Sequence, residues 1–262
     1  MTSFVRFLRD RAPLLPLLLV VVVLAAGCAA QTTTGGPEGP SVQVQVDRGA
    51  GTPNDTAAGI QLLILLTALA VAPALLVMTT AFTRVIVVLS LVRNAIGIPQ
   101  LPPNQVMLGL AVFVSVFIMA PVFKTVNAEA LDPYVNGRLS GDEALKKAEA
   151  PIREWMLKQT HEQDLALFVK MSGAMQPATI ADVPTYVVIP AFIISELKTA
   201  FTMGFIIFVP FLVIDIVVSS TLLAMGMMML PPIVISLPFK ILLFVLVDGW
   251  SLIIGTLVQS FN

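Results

Sequence analysis

Side chains that hold metals or form disulfides are nearly missing from this sequence. It has one cysteine, Cys28, and one histidine, His161. A structural zinc site usually takes four such ligands, so no metal site is expected, and a lone thiol excludes a disulfide within the chain. Charge is also scarce. Only 12% of the 262 residues are charged, for a net charge of −1, which lacks the basic surplus of a nucleic-acid-binding protein. The phosphate-cradling G-x-x-x-x-G-K-[ST] pattern and the G-x-S-x-G nucleophile turn are both absent. One S-x-x-K occurs, Ser195 to Lys198, without the S-D-N and K-T-G elements that accompany it in acyl-transfer enzymes, and it reads as coincidence. His161 lies in the charged run "KQTHEQDL" and reads as solvated surface. No catalytic residue and no cofactor is expected.

Apolar residues are abundant instead, at 57% of the chain, and this composition points to an integral membrane protein. About half of the charged residues fall in 124–184, which marks that stretch as a solvated domain. Residues 1–30 read as a secretory signal. Arg6, Arg9 and Arg11 precede a short apolar core, and small residues follow it. Cleavage near Ala30 is expected, with lipidation of Cys28 as the alternative. Residues 31–59, rich in Gly, Pro, Thr and Ser, read as a flexible linker, in which "SVQVQV" is a candidate short strand.

About twenty apolar residues cross the hydrocarbon of a bilayer as a helix. Four runs approach or exceed that length: 60–78, 106–122, 201–230 and 233–258. They predict an all-α membrane protein with one hydrophobic hairpin over 60–123, a helical periplasmic domain over 124–184 and a second hairpin over 185–262. Arg84 and Arg93, with no acid nearby, place the loop 79–105 in the cytoplasm by the positive-inside rule, opposite the polar domain. "SGDE" at 140–143 predicts a helix start with a capping box. An apolar stripe including Trp155 and Phe168 follows it. Large aromatics serve either as core or as anchors for self-association, and both readings stand.

Charges inside apolar runs need partners. Glu196 and Lys198 are two residues apart, so on a helix they point in different directions and cannot pair. Asp215 and Lys240 lie on opposite arms of the last hairpin. Counted from Pro231–Pro232 at 1.5 Å per residue, they are offset by about 12 Å. That offset favours a bridge between copies over one within a chain, and it sets Asp248 level with Asp215. At the tip of the hairpin, Met227, Met228 and Met229 precede the double proline. Unbranched thioethers fill irregular gaps, so packing at a helix end is the plain reading of the residues themselves.

The runs "ISELKTAFTMGFIIFVPFLVIDIVVSS" (194–220) and "MGMMMLPPIVISLPFK" (225–240) closely resemble the flagellar biosynthesis protein FliP family, also shared with virulence type III secretion. The resemblance runs from about Ile60 to Phe261. It implies an export-gate subunit. Several copies would join FliQ and FliR in a closed helical pore, next to FlhA and FlhB, through which unfolded flagellar subunits pass. It also implies that the assembled helices are raised toward the periplasm. By position, it implies a gating loop at Met227, Met228 and Met229, and contacts between subunits at Glu196, Asp215, Lys240, Trp155 and Phe168. A structural scaffold and a stand-alone channel are the alternatives.

Overall fold

The computed structural model describes residues 53–98, 100–173, 179–227 and 229–261. The expected signal, Cys28, most of the linker and Met228 lie outside them. The described residues form helices joined by short turns, with no strand among them, and the chain is an all-α membrane protein. Three helices are long and apolar enough to cross a membrane, and a bent pair makes a fourth.

The chain divides into two compact units after Pro73. The first holds most of α1 (Pro53–Met78). This helix begins within the expected linker, with Pro53 at its first position, where a missing N–H costs nothing. Its side chains from Ile60 to Leu66 are exposed.

In the second unit, α1 ends where the hydroxyls of Thr79 and Thr80 donate to the carbonyls of Leu75 and Val77. Helix α2 (Phe82–Ile96) follows, where a loop is expected from the sequence. Val85, Val88, Leu89, Val92 and Ala95 form its buried stripe, the spacing of an amphipathic helix. It stops at Gly97, whose φ of +89° suits a residue without a Cβ. Helix α3 (Asn104–Val126) returns beside α2 and buries Met107, Ala111 and Val114 in the same core. A π-helical turn (Asn127–Leu131) and the short α4 (Asp132–Val135) lead into the polar domain.

Helix α5 (Gly141–Gln159) starts with the expected capping box. Ser140 accepts from the Glu143 backbone, and the Glu143 carboxylate accepts from the Ser140 N–H. That backbone donor holds the Glu143 carboxyl below its ordinary range. Helix α6 (Glu162–Met171) is followed by α7 (Thr185–Ala224), 40 residues and about 60 Å long. The boundary expected at 184/185 is not a boundary in packing. Val187, Val188, Ala191 and Phe192 from α7 complete the core of the polar domain with Trp155, Met156 and Leu165. Further along, α7 joins the apolar core through Ala200 and Phe211. Gly204 lets α2 come close, because a Cβ there would sit 3.0 Å from the Cβ of Leu91. Helices α8 (Pro232–Leu246) and α9 (Gly249–Gln259) meet at a 62° bend and run back toward the polar domain.

The expected sidedness fails at Arg84. Its guanidinium donates to Gln159 of the polar domain at 3.3 Å, so these groups cannot be separated by a bilayer. The positive-inside count treats Arg84 as a wet loop residue, whereas it sits in a buried helix among partners.

Candidate functional site

Met227 and Met229 follow the end of α7 that lies away from the polar domain. The helix ends in a Schellman motif: Gly226 N–H donates to Leu223 O and Met227 N–H to Leu222 O. The φ of Gly226 is +76°, so a glycine makes this reversal without a steric penalty. Pro231, next to the first residue of α8, starts the returning arm. Between the arms, Met227 is 39% exposed and Met229 is 98% exposed. A methionine filling a gap at a helix end would be buried, and Met229 is not. It stands free at the tip.

Below the tip, one polar cluster ties the arms together. Lys240 Nζ donates to Asp215 Oδ2 at 2.6 Å, and Ser236 Oγ donates to Asp215 Oδ1 at 2.6 Å. The bridge thus closes within the chain, contrary to the expected bridge between copies. Helix α7 continues for nine residues after Asp215, to Ala224, and Lys240 lies eight residues after Pro232. The two distances to the helix ends therefore agree to about 1.5 Å. The described residues between Ala224 and Pro232 are not helical and add no helical rise, whereas the expected 12 Å offset counted most of this stretch as helix. For the same reason Asp248 is not level with Asp215; it lies eight residues past Lys240.

A second ionic brace joins the apolar helices to the polar domain. Glu196 is fully buried, and Arg84 grips it with two hydrogen bonds, Nε to Oε2 at 3.0 Å and Nη2 to Oε1. Arg84 also donates to the carbonyl and hydroxyl of Ser260 and packs 3.8 Å over the Phe261 ring. Trp155 stacks with the same ring at 6.0 Å between centroids and also meets Phe192 edge-on. Gln159 Nε2 donates to the Phe261 carbonyl at 3.1 Å. Helices α2, α5 and α7 and the C-terminal segment therefore meet at one guanidinium.

Beside Glu196 on α7, Ser195 donates to Asp164 Oδ2 at 2.8 Å, and Lys198 binds Asp164 Oδ1. The His161 backbone N–H donates to Ser195 Oγ at 3.0 Å. Burial of the Asp164 carboxyl works against ionisation. The hydrogen bonds from Lys198 and Ser195 and the lysine charge outweigh it and hold the group below its ordinary range. Ser195 and Lys198 thus both donate to Asp164. As expected, Glu196 and Lys198 do not pair with each other.

The site residues named from the sequence fall into two places. Met227 and Met229 form the tip, braced by Asp215 and Lys240. Glu196, Trp155 and Phe168 lie in or against the core of the polar domain. Each proposed contact between subunits at Glu196, Asp215, Lys240 and Trp155 is occupied within the chain, because a buried charge or large aromatic takes the nearest complementary group. Phe168 is half-buried against that same core. Sequence reasoning missed Arg84, Ser236, Gln159 and Ser260. A usable signal existed for Arg84: it lies four residues before Val88, on the buried stripe of α2.

The FliP family matches residues 65–257. The chain is 54% identical over 209 residues to "Flagellar biosynthetic protein FliP" of Bacillus subtilis, covering 80% of this chain and 95% of that one. It is 54% identical over 202 residues to the protein of the same name from Pectobacterium carotovorum, covering 77% and 78%. With that of Caulobacter vibrioides it shares 49% over 222 residues, covering 85% and 82%. The match spans α2 to α8, the Asp215–Lys240 and Arg84–Glu196 pairs and the methionine tip, and the chain belongs to the FliP family.

Proposed function

We propose that this flagellar export component lines a closed protein-conducting pore and that its methionine tip is the gate. The supporting observation is the pairing of a free tip with a fixed stem. Met229 stands in the open, while Asp215, Ser236 and Lys240 hold the two arms in register below it. A flexible thioether packs without a fixed shape. Several copies around an axis close on one another and yield to an extended chain of any sequence. A β-branched residue is stiff at χ1, and a charged one draws water into the pore.

In this reading the chain works in the bacterial inner membrane with its polar domain in the periplasm. It assembles as several copies with FliQ and FliR, adjoins FlhA and FlhB, and passes unfolded flagellar subunits. It is a conduit, and catalysis is not its task. Deleting Met227–Met229 tests the gate. The complex should assemble, and the membrane should leak small ions, read as conductance or as growth sensitivity to salt. An assembled complex with unchanged conductance refutes the gate. Loop variants that export normally would favour a scaffold.

A further inference from the structure

Peroxides act on thiols and thioethers, and the more so the more exposed the sulfur is. The one thiol of this chain, Cys28, falls in the expected signal, whereas twelve residues are methionine. Met107, Met119 and Met156 are buried in the two cores. Met78 and Met171 are exposed singly, on α1 and α6. Met225, Met227 and Met229 are exposed together at the tip of the last hairpin, and Met229 is the most exposed large apolar side chain among the described residues.

The side chains around the tip are poorly suited to a polar product. No charged residue occurs between Asp215 and Lys240. Leu230, Ile233 and Val234, exposed next to Met229, are apolar. An oxidised thioether carries an S=O oxygen, which accepts hydrogen bonds and has no hydrogen to give, so it needs a donor. The hydroxyls of Ser220 and Thr221 already donate to the Val217 carbonyl, and that of Ser236 donates to Asp215.

We infer that Met229 is a site of reversible sulfoxidation by peroxides and that its sulfoxide holds the gate open. The second half rests on the gate proposed above; the site itself does not. The Met229 sulfur attacks one oxygen of hydrogen peroxide, the S–O bond forms and the O–O bond breaks. Sulfur loses two electrons to the peroxide. The proton of the transferred oxygen passes to the leaving hydroxide, which departs as water. A dithiol reverses the change: it closes to a disulfide, and the sulfoxide oxygen leaves as water. Oxidation turns a flexible apolar side chain into a polar, chiral one and disrupts methionine-rich contacts. A polar group buried without a hydrogen bond is costly, so copies that carry the sulfoxide no longer close dry on one another.

Hydrogen peroxide added to the intact complex tests both halves. Peptide mass spectrometry should find Met229 oxidised at least about tenfold faster than Met107, Met119 and Met156, because susceptibility follows exposure. Conductance should rise about tenfold as the sulfoxide accumulates, the scale for one polar group buried without a partner. Methionine sulfoxide reductases for both epimers, supplied with dithiothreitol, should return it to its starting value. Each variant is read against its own conductance before peroxide. Met171→Leu, which removes the exposed thioether of α6, should respond as the parent does, and Met229→Leu should lose most of the response. Met229 oxidised no faster than the buried methionines, conductance unmoved once Met229 is sulfoxide, or a response that survives in Met229→Leu or resists the reductases would each overturn the inference. The Met227–Met229 deletion without peroxide reports on the gate separately. A leaky deletion beside a parent indifferent to peroxide leaves the gate standing and removes only the inference, whereas a tight deletion removes the gate and the effect of the sulfoxide with it.

Discussion

Glu196→Gln removes one charge and almost no volume from the brace at Arg84. The guanidinium then stays buried, over the Phe261 ring, with an amide in place of the carboxylate and without a countercharge. Breaking a buried pair from one side costs about 3–5 kcal/mol. The low dielectric that makes the intact pair strong also makes the orphan expensive. Replacing both partners by methionine removes the orphan and should cost much less, since apolar substitutes for buried pairs are often near neutral. The extra loss here comes from the Arg84 bonds to Ser260 and Gln159. For a chain of this size 1 kcal/mol shifts the melting point by about 2–4 °C, so the single change should lower it by roughly 6–20 °C. Trp155, stacked on Phe261, reports the transition through its own fluorescence in detergent, and the two singles with the double make a double-mutant cycle. A drop under about 2 °C for Glu196→Gln would refute the reasoning, as would a double variant as unstable as the sum of the singles.

Two further outcomes follow from the remaining ion pairs. Asp215→Lys with Lys240→Asp in one chain should restore export that either single reversal abolishes, whereas co-expressing the two single variants should not, because the bridge closes within a chain; rescue in the mixture would return the bridge to the interface between copies. Asp164 has a lowered folded pKa, so the stability it contributes is present above the ordinary carboxylate value of 3.8 and is lost as pH falls below it. Acid unfolding of Asp164→Asn should therefore show a shallower loss between about pH 4 and pH 2 than the parent, and identical acid slopes would count against the pairing with Lys198 and Ser195.

Much of the architecture is legible because it follows from runs and short-range patterns. The apolar stretches become helices of the length their composition requires, and the S-G-D-E start of α5 caps as its spacing predicts. Helix α2 was missed for a definable reason. At 15 residues it is shorter than a membrane span, and its two arginines read as loop charges. Its stripe from Val85 to Ala95 still carries the 3.6-residue period of a helix with one buried face. Counting charge overrode periodicity, and that reversed the sidedness of Arg84.

Pairing is the part that one-dimensional reading handles worst. That Glu196, Asp215 and Lys240 need partners follows from the cost of burying charge. Which partner each takes depends on where the helices end. The break in helix between α7 and α8 decides whether Asp215 meets Lys240 or misses it by two turns. Glu196 meets Arg84, 112 positions away in sequence, only because α2 folds back along α7 past Gly204.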